Sequence, residues 1–314
     1  MSNTNSTISL YLRKKKMERQ IMWKKAKANK NCYLFILPYL LLFTLCYIVP
    51  IAMSLFLSFT YFNVLEPPEF RGMQNYINLI LADDVFLTSV KNTFVLAGLI
   101  GPIGYLASFL FAWMINELPR YLRAVAVVVF YAPSLAMAST MAIWKIIFNN
   151  DPYGWINSFL QVLGYEPVLW LSNPQYMLIV VIVVSVWSSL GAGFLGFVAG
   201  FQGIDRSQYE AAYVDGLKNR MQELWYITLP SMKPMLMFGA INSITSAFNV
   251  SDIPEQLCGN PSTDYAVHTV VTHLKDYGSV RFEMGYASAI ATVLFLAMLL
   301  CNKLIQKLLM RVGN

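Results

Sequence analysis

The sequence predicts an all-α membrane protein with six transmembrane helices. Of the 314 residues, 57% are hydrophobic and only 13% are charged, which departs from the composition of a soluble domain. The apolar residues lie in long blocks, and six blocks can span a bilayer, which takes about 20 residues of helix. We expect all six to be helical, because lipid offers no hydrogen-bond partners to exposed backbone groups.

The six predicted spans cover residues 32–60, 89–116, 125–148, 177–201, 235–250 and 285–304. The fifth gives the weakest signal, because several Asn, Ser and Thr residues dilute it. The first follows a long polar tail and is not followed by a small-x-small cleavage site, which favours a retained span over a secretory signal. Pro38 and Pro50 predict kinks or a break inside this first span.

Lys and Arg residues predict how the spans are oriented. The tail of residues 1–30 is rich in both, and more lie between spans two and three, between spans four and five, and after span six. The opposite loops carry mainly Asp and Glu. Because cytoplasmic loops are enriched in Lys and Arg, we expect both termini in the cytoplasm. The predicted regions are a basic cytoplasmic tail (residues 1–30) and a transmembrane domain (residues 31–314).

Several kinds of site are not indicated. Lys and Arg beside a first span are typical of a topology signal or of contact with anionic lipid, so we expect membrane lipid and no nucleic acid as a partner. The four cysteines include no CxxC pair, so neither a zinc site nor a redox pair is predicted. His268 and His273 are five residues apart, which places them on different faces of a helix or strand. We therefore expect two polar loop residues and no metal site.

The loop between spans four and five, about residues 202–232, has the most specific pattern. Ser207-x-x-Glu210 predicts a capping box that opens a short helix, and Gly216 suits the left-handed position that ends it. A second helical segment, about residues 219–228, is expected to present one apolar face and to stop at Pro230. That face would carry Met221, Leu224, Trp225 and Ile227.

This loop resembles the EAA loop of permease subunits from binding-protein-dependent ABC importers. The family pattern of Glu-Ala-Ala, three residues, Gly, a spacer and Ile-x-Leu-Pro is matched by Glu210, Ala211, Ala212, Gly216, Ile227, Leu229 and Pro230. Further similarity to the sugar-permease branch covers about residues 70 to 300. It includes the segments 71–76, 152–157, 170–174 and 196–200.

The resemblance implies a type I ABC importer permease fold with a cytoplasmic coupling helix that inserts into a cleft of an ATPase subunit. It assigns this docking role to Glu210, Ala211, Ala212, Gly216 and Leu217, with Pro230 as a structural stop. Leu217 departs from the family, where this position is often Ala. The implied partners are a second permease subunit, two ATP-binding subunits, an extracellular solute-binding protein and a carbohydrate, at a bacterial plasma membrane.

The chain has no Gly-rich phosphate loop of the G-x-x-x-x-G-K-[ST] type. We therefore expect a non-catalytic subunit without a cofactor of its own, with ATP and Mg bound by the partner ATPase. Neutral sugars are held by amides, hydroxyls and aromatic faces, which the fourth and fifth spans supply. The predicted pathway residues are Trp187, Ser189, Asn242, Ser246 and Asn249. Such polar groups also hold membrane helices together, and both interpretations stay open.

Three other functions stay open at this point. The first is an ABC permease for a non-sugar solute such as a peptide. The second is an ion-coupled secondary transporter, although the spans show no inward acidic residue for ion coupling. The third is a membrane enzyme such as an intramembrane protease, which would need a Ser–His pair, paired Asp residues or a metal site within the spans; both histidines lie outside the predicted spans and no paired Asp residues lie in them.

Overall fold

The computed structural model describes Met17, Met22 and residues 29–312. The chain divides into two compact units, and the boundary falls between Phe56 and Leu57. Most of the predicted basic tail lies outside the described residues. Its end at residue 30, and with it the predicted division of the chain, therefore stays a prediction.

The first helical segment is exposed along its length. It comprises α1 (Lys30–Phe43), a π-helical turn (Thr44–Ile48) and α2 (Val49–Leu57). The π turn ends two residues before Pro50, whose missing N–H interrupts the regular hydrogen-bond ladder. Aromatic rings recur every fourth residue along this first helical segment, at Tyr39, Phe43 and Tyr47, and the centroids of neighbouring rings are 6.0 and 5.3 Å apart. A helix that is apolar on all sides and exposed is typical of a membrane span.

The second unit opens with a short antiparallel pair, β1 (Thr60–Tyr61) and β2 (Glu69–Phe70), followed by α3 (Gln74–Leu81) and α4 (Asp84–Asn116). The buried Asn75 amide donates to the carbonyl oxygens of Ser58 and Thr60, both at 2.9 Å, which fixes α3 against β1. Asp83 caps α4 by accepting the Phe86 N–H at 2.8 Å. α4 has 33 residues and is therefore about 50 Å long.

Five helices follow, and two of the joints between them are breaks within an apolar stretch. The backbone of Ala136 (φ −110°, ψ 41°) interrupts the first stretch, and residues 189–191 interrupt the second. The five are α5 (Arg120–Leu135), α6 (Met137–Ile147), α7 (Trp155–Val162), α8 (Pro174–Ser188) and α9 (Ala192–Gln202).

The remaining helices form the loop that follows α9, the helix after it, and the C-terminal part of the unit. They are α10 (Arg206–Val214), α11 (Arg220–Glu223), α12 (Leu229–Ser231), α13 (Lys233–Phe248), α14 (Asp252–Cys258), α15 (Val270–Lys275) and α16 (Met284–Val312). π-helical turns, Leu224–Thr228 and Asp276–Val280, join α11 to α12 and follow α15. Pro234 lies in the first turn of α13, where the missing N–H of proline costs no helical hydrogen bond.

The core of the second unit is built around α4, which packs against α8, α9 and α13. Close approach of α9 and α13 depends on Gly239, where a Cβ would collide with the ring of Phe197. Phe197 in turn meets Tyr105 and Phe109 of α4 edge-on, with centroids 5.4 and 5.6 Å apart. Apolar packing therefore joins these three helices at the middle of α4.

Four segments of the described residues are long and apolar enough to cross a membrane: Asn31–Leu57, Asp84–Asn116, Pro174–Gln202 and Met284–Lys307. They correspond to the first, second, fourth and sixth predicted spans. The third predicted span is divided at Ala136, and the fifth, α13, has 16 residues, fewer than the roughly 20 of an ordinary span. The helical character is confirmed, and the count of six stays a prediction.

Candidate functional site

The polar loop (residues 202–232) begins with α10, whose first turn differs from the predicted one. Asp205, and not Ser207, is the N-cap, because its Oδ1 accepts the Ser207 N–H at 3.1 Å. This hydrogen bond lowers the pKa of the Asp205 carboxyl. The predicted capping box was therefore wrong: the helix starts earlier, and Glu210 falls in its second turn with its side chain exposed.

The end of α10 agrees with the prediction. Gly216 has φ +96°, in the region that favours glycine. The Gly216 N–H donates to the Tyr213 carbonyl at 3.2 Å, and the Leu217 N–H donates to the Ala212 carbonyl at 3.0 Å. These two bonds form a Schellman motif, which satisfies carbonyl groups at the end of a helix.

The second helical segment of the loop passes through Pro230. Asn219 caps α11 by accepting the Gln222 N–H at 2.9 Å, and the π turn that follows leads directly into α12. The helical path ends after Ser231, so the expected stop at Pro230 was wrong. A π turn tolerates a nearby proline because the proline supplies no N–H for the regular ladder.

The apolar side of this segment also differs from the expected single face. Leu224 is buried and Ile227 is half-buried, whereas Met221 and Trp225 are exposed. The π turn inserts an extra residue into the helical repeat, which rotates the later side chains away from the predicted face.

Glu223 joins the two halves of the polar loop, and sequence reasoning missed it. Its side chain is buried; the Tyr213 hydroxyl donates to Oε1, and Arg220 Nη1 donates to Oε2 at 2.7 Å. The hydrogen bond to Glu223 raises the pKa of Tyr213. Arg220 Nη2 also lies 3.2 Å from Oε2 of Glu117, just beyond α4. The three-residue spacing of Arg220 and Glu223 was the one available sequence signal.

Two further contacts fix α10 against the second segment. The Tyr209 and Thr228 hydroxyls are 2.9 Å apart, and the Ser231 hydroxyl donates to Gln208 Oε1 at 3.1 Å. The loop also exposes several large apolar side chains among its polar ones. The exposed residues include Glu210, Ala211, Val214, Met221, Trp225 (65% exposed) and Tyr226 (69% exposed). Ala212 and Leu217 are half-buried.

A second candidate site, here called the central cavity, lies halfway along α4. It has a volume of about 280 Å³ and is lined by residues of α4, α8, α9, α13 and α14 and of the joints between them. It brings together four of the five predicted pathway residues, namely Ser189, Asn242, Ser246 and Asn249. Trp187 does not line it; its ring packs edge-on against Trp144 at 5.3 Å.

The hydroxyl and amide groups around the central cavity fall into two kinds. Some are used inside the protein: Ser243 Oγ donates to the Gly101 carbonyl at 2.7 Å and ties α13 to α4, whereas Ser189 and Asn249 bond within their own helical segments. Others are not: the buried hydroxyls of Ser185 and Ser188 have no partner among the described residues. Helix-joining and lining roles thus both occur, on different residues.

His268 lies in a loop, as expected, but His273 lies within α15, so the expectation of two polar loop residues with separated side chains was wrong in part. Both are buried, and His268 Nε2 lies 3.3 Å from His273 Nδ1. His273 Nε2 lies 3.0 Å from Oδ2 of Asp83, which also accepts the Tyr286 hydroxyl at 2.9 Å. The chain is extended at Thr269 and helical only from Val270, so the spacing of side chains along one helix does not describe this pair.

Burial of the imidazole acts on the pKa of His268. It lowers the pKa of His268 to about 4, and the neighbouring His273 acts in the same direction. Burial alone would raise the pKa of Asp83, but hydrogen bonds from the Phe86 N–H and the Tyr286 hydroxyl outweigh it and lower the pKa. No group of three or more His, Cys, Asp or Glu side chains within the described part of the chain is arranged to hold a metal ion.

Comparison with known proteins agrees with this architecture. The model of the family described as binding-protein-dependent transport system inner membrane component matches residues 102–311. The probable ABC transporter permease YesP of Bacillus subtilis is 33% identical over 277 residues, which are 85% of this chain and 86% of YesP. The arabinooligosaccharides transport system permease AraP, from the same organism, is 29% identical over 295 residues, 92% of each chain.

A solved structure shares the fold. It is the crystal structure of a bacterial ABC transporter that imports the acidic polysaccharide alginate. One of its chains superposes with a TM-score of 0.76 at 22% identity, and the match covers 93% of this chain and 99% of that one. At this identity the likeness concerns the fold alone.

Proposed function

Because the chain belongs to the family of binding-protein-dependent transport system inner membrane components, we propose that it is the membrane-spanning permease of an ATP-driven carbohydrate importer. The observation that carries the proposal is the polar loop. It is two short helices held rigidly on one side by Glu223 and exposed on the other, with Glu210 and Ala211 on the exposed side. A rigid loop with exposed apolar side chains is suited to transmit force to a docked partner.

The proposed partner at this surface is an ATP-binding subunit. Apolar area is exposed here by Trp225, Tyr226 and Met221, and contact with a partner subunit would bury it. Trp and Tyr are typical anchors of protein interfaces. Gly216 and Leu217 hold the end of α10, so their contribution to docking is to fix its geometry. ATP and Mg bind to the partner, and the chain itself is non-catalytic.

The proposed topology has six crossings with both termini and the polar loop in the cytoplasm. Four crossings are the long apolar segments, and the other two are the divided α5–α6 stretch and the short α13. The short α13 has support in the packing, because it lies against α4 and α9, so that protein and not lipid surrounds much of it. The distribution of Lys and Arg supports the orientation.

The proposed substrate is a carbohydrate, delivered by an extracellular solute-binding protein and moved between this chain and a second permease. AraP is named for arabinooligosaccharides, and the structural relative for an acidic polysaccharide. The central cavity supports the proposal because hydroxyls and amides line it. A non-sugar solute is the alternative, and an ion-coupled secondary transporter is the less favoured one.

The test is a mild-detergent purification of the chain from its native membrane, with mass spectrometry of the proteins that accompany it. We expect a second permease and an ATPase, and we expect Glu210→Lys and Gly216→Asp to lose the ATPase while the chain still inserts. Matched controls are Glu166→Lys and Gly164→Asp, at an exposed glutamate and a positive-φ glycine between α7 and α8. Purification of the wild-type chain alone would refute the importer proposal and favour a secondary transporter.

A further inference from the structure

The lining of the central cavity is polar but carries almost no charge. Seven serines and two asparagines face it, so hydrogen-bonding groups without charge predominate. The single ionisable lining residue apart from Tyr105 is the carboxylate Asp252, and none of the described residues that line it is Lys, Arg or His. Such a wall matches the hydroxyl groups of a sugar and offers no counter-ion to an anionic one.

Ser185 and Ser188 are the strongest sign that the cavity receives a hydrogen-bonding ligand. They lie three residues apart on one face of α8, and they are 3% and 9% exposed. Neither hydroxyl has a partner among the described residues, although a buried polar group is nearly always hydrogen-bonded. A ligand hydroxyl entering the cavity would supply the missing partner to both.

The charge at the α14 end of the cavity is negative. Lys275 Nζ donates to Asp252 Oδ1 at 2.6 Å and to Ser251 Oγ at 2.7 Å, and it lies 3.4 Å from Glu255 Oε1. Two carboxylates and one ammonium leave one negative charge on this group. Lys275 is therefore already shared between carboxylates and is not available to an incoming anion.

We propose that the central cavity selects uncharged, hydroxyl-rich saccharides over acidic ones. Ser185 and Ser188 bind substrate hydroxyls, and Asp252 disfavours anions. The inference rests on the proposed function, and it separates this chain from the structurally similar importer of the acidic polysaccharide alginate. Electrostatic exclusion of this kind is a difference in affinity between two solutes of similar size.

The test uses the assembled transporter in lipid nanodiscs, with size-matched probes. Arabinotriose and maltotriose are the neutral probes, and trigalacturonate is the acidic one. We expect at least one neutral probe to bind about tenfold more tightly than trigalacturonate. The double variant Ser185→Ala, Ser188→Ala should weaken binding of the neutral probe about 10- to 100-fold, since each of the two lost hydrogen bonds costs about 3- to 10-fold. Ser139→Ala, at an exposed serine outside the cavity lining, is the matched control.

A charge insertion provides an independent measurement. Ser246 lines the cavity from α13 and is exposed, so Ser246→Lys places an ammonium at the wall without burying it. This variant should bind trigalacturonate about fivefold more tightly than the wild type does, because of the screened attraction of one unit charge. Its affinity for the neutral probe should stay within about twofold of the wild-type affinity. Ser139→Lys should change neither value.

The outcomes distinguish this inference from the proposed function. If no ATPase assembles with the chain, the proposed function fails. If the complex assembles with its ATPase but the wild type prefers trigalacturonate, or binds neither kind of probe, the charge selection is overturned and the importer function stands. Unchanged binding in the double serine variant would remove Ser185 and Ser188 from the substrate site.

Discussion

Replacing Gly216 by Ala tests the turn that ends α10. Gly216 has φ +96°, and a Cβ built on it meets no atom within 4 Å. The substitution therefore adds backbone strain and no collision. A non-glycine residue held in the left-handed region costs roughly 1–2 kcal/mol, so the free energy of opening the turn should fall by that amount.

The readout is hydrogen–deuterium exchange at the Leu217 amide, which donates to the Ala212 carbonyl at 3.0 Å in the Schellman motif. Since 1.4 kcal/mol corresponds to a factor of ten, its exchange should accelerate about 5- to 30-fold in the assembled transporter. Gly216→Asn should have a smaller effect, because Asn tolerates this conformation better than Ala. ATP-coupled uptake should fall in the order of the measured acceleration.

Gly164→Ala is the matched control. Gly164 has φ +86° and likewise has no atom within 4 Å of a built Cβ, but it lies between α7 and α8, away from the polar loop. Its substitution should accelerate exchange locally and leave uptake intact. An unchanged Leu217 exchange rate in Gly216→Ala would refute the argument from backbone strain, and an equal loss of uptake in Gly164→Ala would refute the link between this turn and coupling.

Two further predictions concern buried polar groups. Glu223→Gln keeps an acceptor for the Tyr213 hydroxyl but loses the charge that faces Arg220, whereas Glu223→Ala loses both. Hydrogen–deuterium exchange of the amides in α10 and α11 should therefore be slowest in the wild type, faster in Glu223→Gln and fastest in Glu223→Ala. Equal exchange rates in the three proteins would contradict the role of Glu223. For His268, the folded pKa of about 4 lies below the ordinary 6.5, so the unfolded segment binds more protons between these values. The stability of the segment around His268 is therefore complete above about pH 6.5 and falls as the pH drops toward 4. Exchange at residues 259–269, corrected for intrinsic rates, should rise from pH 7.5 to pH 5, and His268→Gln should flatten this dependence; a flat wild-type profile would disprove it.

Features that depend on local sequence, such as the helices and the turn at Gly216, could be predicted from the sequence. Features that depend on tertiary contacts, such as the burial of Glu223, could not. Apolar blocks gave the helical character and four of the spans, because burial in lipid needs uninterrupted apolar length. Gly216 was predicted because a left-handed end of a helix favours one residue type. The cap was misplaced by two residues, since Asp205 and Ser207 are both good caps and the sequence does not rank them.

The larger misses share a cause. Glu223 is buried through partners on α10 and on its own helix, and the histidine pair joins a loop residue to a residue of α15, which no periodicity describes. The breaks at Ala136 and at residues 189–191 fall inside apolar stretches whose composition reads as continuous helix. In each case the deciding feature is a contact between two structural elements or a set of backbone angles, and side-chain composition specifies neither.

The polar loop and the central cavity are connected through the backbone of α9 and α13. α9 leads into the loop and α13 leads out of it, and both pack on α4 beside the cavity, where the Tyr105 hydroxyl donates to the Leu236 carbonyl at 3.3 Å. The other connection, between Arg220 and Glu117, joins two side chains that are largely exposed, and such a pair contributes about 0–1 kcal/mol. It is too weak to transmit a displacement by itself.

Close packing makes the backbone route stiff. A Cβ on Gly104 of α4 would lie 2.6 Å from the Ser189 hydroxyl, and Gly239 of α13 lies directly against the Phe197 ring of α9. At these contact points the helices have little room to shift against one another, because a side chain already fills the space between the backbones. A displacement of the polar loop therefore has to move the walls that carry Ser189 and Asn242, and this requires a loop that does not itself deform. The buried Glu223 meets that requirement, because it ties both of the loop's helices at one point.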